Sequence, residues 1–161
     1  MASAPSRLQQ EIKQTRPFRS VAQEASIGLL RTTDITRRRM AALIEPEGIT
    51  IQQYNVLRIL RGAGGAGMPT LEIVTRLIEQ APGITRLLDR LEAKKLVHRE
   101  RCPEDRRQVT CRITAGGLTL LSRLDPIVDA ADGTILGALT RTEQRQLIRL
   151  LDRVRQRLEA D

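Results

Sequence analysis

Apolar positions recur along this chain every three to four residues, the period of an amphipathic helix, and alternate strictly at one place only. Val21, Ala25, Ile27, Leu29, Leu30, Ile35, Met40, Leu43 and Ile44 form a stripe that predicts a helix over about 20–44, interrupted by Arg37-Arg38-Arg39 and ended by Pro46 and Gly48. Thr50 reads as the N-cap of a helix carrying Tyr54, Leu57, Ile59 and Leu60. Thr70 opens a short helix with Leu71, Val74, Leu77 and Ile78 on its face. Another follows with Pro82 in its first turn, where a missing N–H costs nothing, and Ile84, Leu87, Leu88 and Leu91 at i, i+3, i+4 and i+7. The period then becomes two over Gln108-Val109-Thr110-Cys111-Arg112-Ile113. With Val97 to Arg101 as partner, and Pro103 and Asp105 in the intervening turn, this reads as a β-hairpin. Thr114 caps a leucine-rich helix that Pro126 is placed to kink. Thr140 and Glu143 form a capping box that opens a last helix ending near Leu158.

The order is helix, helix, helix, helix, hairpin, helix, helix: six helices, mostly α with a small β-wing. The chain has 161 residues and suits one domain. Residues 1–19 are polar and basic, with Pro5 and Pro17, and read as a flexible arm. The core must be aliphatic, because Phe18 and Tyr54 are the only aromatic residues.

Charge narrows the function. Lys plus Arg number 27 against 19 Asp plus Glu, a net +8, and the cations are overwhelmingly Arg, whose planar fork suits phosphates and guanine edges. In the helix of Ile84 to Leu91, the face opposite the apolar one begins with Gly83 and continues through Arg86, Arg90 and Lys94, with Asp89. A helix that is small at its start and cationic afterwards suits the DNA major groove and places its N-terminal dipole near phosphate. A hairpin tip with Arg106 and Arg107 suits the minor groove. Short helix, tight turn, second helix and basic hairpin make a winged helix-turn-helix.

The stretch ITRLLDRLEAKKLVHRERCPEDRRQVTCRITAGG (84–117) resembles the MarR family of winged-helix regulators, through its L-D-R-L-E core, P-x-D-R-R wing and I-T-x-x-G helix opening. ITIQQYNVLRIL (49–60) resembles the family's second helix. The resemblance implies an obligate homodimer with interlocked N- and C-terminal helices, 20–48 and 118–161, flanking a DNA-binding lobe at 49–117. The surplus apolar stripes also point to a dimer without the resemblance. It implies a sequence-specific regulator, in most such proteins a repressor, which binds a palindromic operator in double-stranded DNA and is released by a small amphipathic or carboxylate effector. Carried onto this chain, the DNA-contacting residues are Thr70, Gln80, Pro82, Gly83, Thr85, Arg86, Arg90, Arg106 and Arg107, with Asp105 orienting Arg107. Arg90 has the alternative of pairing with Asp89 or a wing residue. Tyr54, Thr85 and Arg99 fall near where effectors bind. The chain departs from the pattern at Lys95, where Gly is usual, and at Gln80, where a small hydroxyl is usual.

Other classes fare worse. Gly62-x-Gly64-x-x-Gly67 has the spacing of a dinucleotide fingerprint, but a helix precedes it and no βαβ unit follows, so it reads as an elongated hinge. The sequence contains no catalytic triad, metal-ligand cluster or cofactor motif, which argues against an enzyme. One histidine and two cysteines are too few for a zinc site or a disulfide scaffold. With no secretory h-region and no membrane-length apolar run, a cytoplasmic protein is expected. Two rival readings stay open: an architectural DNA-binding protein without sequence preference, and a redox-responsive regulator using Cys102 and Cys111, the latter placed by its phase on the buried side of its strand.

Overall fold

In the computed structural model, residues 5–79, 83–101 and 108–160 are described. The chain forms two compact units, Met1–Ala42 and Leu43–Asp161. Among the described residues there are seven α-helices rather than six, because the arm holds a short one. This α1 (Arg7–Glu11) is capped by the Ser6 hydroxyl, which accepts from the Gln9 N–H. The first unit is otherwise made by α2 (Val21–Ile44), whose last two residues belong to the second unit.

The second unit holds the remaining elements: α3 (Ile51–Ala63), β1 (Met68–Pro69), α4 (Thr70–Arg76), α5 (Ile84–Ala93), β2 (Val97–Arg101), β3 (Val109–Ile113), α6 (Ala115–Ile135) and α7 (Arg141–Glu159). The sequence rules hold at the starts of helices. Thr50 and Thr140 close full capping boxes with Gln53 and Glu143, and the Thr114 hydroxyl accepts from the Gly117 N–H. Pro126 sits inside α6, which runs unbroken as one helix. The sheet is antiparallel in the order β1-β3-β2, with Met68 opposite Cys111 and Val97 opposite Ile113.

The core is aliphatic. Val56, Leu57 and Leu60 of α3, Ile73 of α4, Leu88 and Leu91 of α5, and Leu121 and Leu124 of α6 are all essentially inaccessible. The reading head is thus closed by α6 as well as by its own helices. Across that contact Arg61 of α3 grips Asp125 of α6 with two hydrogen bonds, at 2.7 and 3.1 Å. The Arg61 hydrogen bond holds the Asp125 carboxyl below its usual range.

The glycine run is a structured turn. Gly62 lies in the last turn of α3, a 3-10 turn covers Gly64–Ala66, and the Gly67 N–H donates to the Gly64 carbonyl. Gly67 (φ 71°, ψ −167°) leads straight into β1. A Cβ built there would lie 2.6 Å from the Cys111 carbonyl oxygen, so the run ends pressed against β3.

Candidate nucleic-acid interface

The cationic helix expected over 82–94 begins at Ile84. Gly83 precedes it in a left-handed conformation (φ 95°), which orients the entry to the helix without a side-chain cap. Leu88 and Leu91 anchor α5 in the core. Thr85, Arg86 and Arg90 stand exposed. Gln80 and Pro82, expected at the start of this helix, lie outside the described residues.

The two acidic residues of α5 face another way. Arg99 of β2 reaches across to both. Its Nε donates to Glu92 at 2.8 Å, its backbone N–H to the same carboxylate at 2.9 Å, and its terminal nitrogen to Asp89 at 2.6 Å. This hydrogen bonding holds the Glu92 carboxyl below its ordinary value. Asp89 therefore serves Arg99, not Arg90. Among the described residues Arg86 and Arg90 have no carboxylate partner, while the exposed Asp89 is held by Arg99. Sequence reading missed Asp89 and Glu92 as a clamp. The signal was their three-residue spacing, which puts both on the side of the helix next to Thr85.

The end of α5 explains the departure at Lys95. Lys95 adopts the left-handed conformation (φ 59°) that glycine usually fills. Its N–H donates to the Glu92 carbonyl and the Leu96 N–H to the Leu91 carbonyl, the Schellman pattern. The Thr114 hydroxyl donates to the Lys95 carbonyl at 2.7 Å. The strain of about 1 kcal/mol for a non-glycine residue there is offset by ties to both α5 and α6.

The wing is the β2–β3 hairpin. Its tip, 102–107, lies outside the described residues, and with it Cys102, Asp105, Arg106 and Arg107. At the strand end of the hairpin Cys111 is fully buried, and burial pushes its thiol pKa up. A peroxide-sensing cysteine needs the opposite, an exposed thiolate. Thr70 donates its hydroxyl to the Val109 carbonyl at 3.2 Å, so this side chain is engaged in fastening α4 to the wing. His98 is exposed on its strand.

An open cleft of about 420 Å³ lies between α4, α5 and the wing, within the range of small-molecule sites. Pro69, Leu71, Leu88 and Val109 supply its apolar wall, and Thr85 and Arg99 its polar groups. The structure thus brings together two of the three expected effector residues. Tyr54 stands apart, buried in the core at 5% exposure, with the Arg58 guanidinium 5.8 Å from its ring centre. No helix among the described residues is long and apolar enough to cross a membrane.

Comparison with known proteins agrees with this geometry. The MarR family model matches residues 49–109. The HTH-type transcriptional repressor Rv2887 of Mycobacterium tuberculosis is 27% identical over 136 residues, 83% of this chain and 96% of that protein. Among solved structures, a MarR transcription factor from Planctomyces limnophilus is 43% identical, with a TM-score of 0.61 over 84% of this chain and 98% of that one. BpsR of Bordetella bronchiseptica, whose DNA binding is regulated by 6-hydroxynicotinic acid, is 25% identical, with a TM-score of 0.72 over 81% of this chain and 98% of that one. A shared reading head, matched in the Planctomyces limnophilus protein over nearly its whole length, places the chain in the MarR family of DNA-binding transcriptional regulators.

Proposed function

We propose that the protein is a homodimeric repressor that binds a palindromic operator and lets go when a small carboxylate enters the cleft beside α5. The observation that carries this reading is the sorting of charge on α5: its acids are held by Arg99, leaving Arg86 and Arg90 to the groove, with Thr85 at the edge between groove and cleft. Gly83 lets the backbone approach a phosphate closely. Gln80, Pro82 and the wing's Arg106 and Arg107, with Asp105 orienting the latter, complete the contact set, and Thr70 contributes through its place at the start of α4. Dimerisation is supported by the apolar side chains left at the surface, including Val21, Leu29 and Leu30 on α2 and Ile148, Leu150, Val154 and Leu158 on α7. A dimer with two-fold symmetry reads a two-fold symmetric site.

The effector reading rests on the cleft. A carboxylate that reaches Arg99 competes with Asp89 for the same guanidinium. Loss of that pair leaves Glu92 as the remaining tie between Arg99 and α5, and the wing and α5 hold their common geometry less firmly. BpsR, regulated by a small carboxylic acid, supports the ligand class.

The test is a footprint with full-length protein on DNA upstream of its own gene. The expected result is a protected palindrome occupied by one dimer, whose occupancy falls when small carboxylates are added. Uniform, length-dependent binding with no protected site would leave the architectural reading instead. Within that experiment, Arg107→Ala is expected to flatten the salt dependence of binding by about one charge per wing, and an unchanged slope removes the wing contact from the account.

A further inference from the structure

The reading head absorbs Arg86, Arg90 and Arg99, but an exposed arginine stripe lies elsewhere. Helix α7, RTEQRQLIRLLDRVRQRLE, carries Arg141, Arg145, Arg149, Arg153 and Arg157 at an unbroken four-residue interval. At 100° per residue these positions share one side of the helix, and Leu147, Leu151, Val154 and Leu158 share the other. All five arginines are exposed. Two of the three acids of α7 are engaged. Glu143 closes the Thr140 capping box, and Asp152 pairs with Arg155. Among the described residues Arg141, Arg145, Arg149 and Arg153 have no carboxylate partner. Nor does the fold use this face: α7 has no buried residue and no extended packing against any element of its own chain.

We propose that the arginine face of α7 is a second nucleic-acid contact, which holds the phosphate backbone of a duplex segment other than the one under α5, without regard to sequence. Charge density supports this partner. From Arg141 to Arg153 the helix rises about 18 Å, a length over which one strand of a duplex carries about five phosphates. Four guanidinium groups at this density match a regular polyanion. Their planar forks suit phosphate oxygens better than the point charge of an ammonium. The apolar side of α7 remains free for its partner in the dimer, so the two faces do not compete. A repressor dimer built this way would carry two such stripes and could bridge two stretches of DNA.

The test is a bridging assay with full-length protein. Protein is loaded on an immobilised random-sequence duplex, and a fluorescent random-sequence duplex is added. Wild-type protein is expected to capture the second duplex. Capture should fall about 150-fold between roughly 50 and 200 mM salt, as expected for four neutralised phosphates. The variant R141Q/R145Q/R149Q/R153Q should lose capture while still loading on the first duplex. The matching all-lysine variant, which keeps the charge, should retain it, and circular dichroism should show both variants as helical as wild type. Absence of capture by the wild type, or full capture by the glutamine variant, overturns the proposal. Binding of phosphatidylserine–phosphatidylcholine vesicles in place of the second duplex would also overturn it and identify the face as a lipid contact. A footprint at a palindrome is independent of every one of these outcomes.

Discussion

Gly67→Ala is expected to destabilise the protein by roughly 3 kcal/mol, seen as a fall of about 1.5 M in the urea midpoint with an unchanged slope. Two costs act together. The backbone at φ 71°, ψ −167° lies in a region that essentially only glycine occupies. The new Cβ would also meet the Cys111 carbonyl oxygen at 2.6 Å and Arg112 Cγ at 2.5 Å. The Arg112 side chain could move only by disturbing its pairing with Glu100, and the carbonyl belongs to the central strand, which is paired on both sides. Gly65→Ala is the control. Its Cβ meets nothing within 4 Å and its φ is not positive, so a change within about 0.5 kcal/mol is expected. Equal stability of the two variants would mean that the seam between the glycine turn and the wing is looser than described. The result bears on the hinge reading of this run as well: an anchored Gly67 leaves any repositioning of the reading head to residues before it.

The second large effect is on recognition. Arg86→Ala is expected to weaken binding to the operator by about 1–3 kcal/mol and to relax base preference where Arg86 docks. Affinity for random duplex should fall less. The asymmetry follows from Arg86 being exposed, and without a carboxylate partner among the described residues, on the first turns of α5, where it can reach base edges. Equal losses on operator and random DNA would reassign Arg86 to the phosphate backbone. Thermal unfolding should be unchanged, since nothing in the core depends on this side chain.

Much of this architecture was legible in the chain because it is local. The capping boxes at Thr50 and Thr140, the cap at Thr114 and the stripe Ile84, Leu87, Leu88, Leu91 are set by residues within one or two turns of each other. Lys95 was legible as a departure from a glycine pattern, though whether it keeps the left-handed conformation was not. What escaped is non-local or aperiodic. β1 is two residues long and exists only because β3, more than forty positions later, supplies its partner, and Pro69 within it argues against a strand. α1 has one turn and no apolar period. The three-residue spacing of Asp89 and Glu92 puts them on one side of α5, but their clamp by Arg99 depends on how β2 lies against that helix. The arginine interval of α7 is plain in the letters, yet a charge run on a helix surface ordinarily reads as solvated, and only the idleness of that face in the fold gives it weight.

The ion pair of Arg61 with Asp125, and the burial of Leu121 and Leu124 beside α3, also set an order of events during synthesis. A nascent chain that has emerged only as far as Ile113 contains every residue of the head and wing proposed to contact DNA. It still lacks α6, the helix that packs against α3 and carries the Asp125 partner of Arg61. The reading head therefore cannot complete itself in the order in which it is translated. It waits for α6, and DNA-binding competence arrives together with the segment leading to α7.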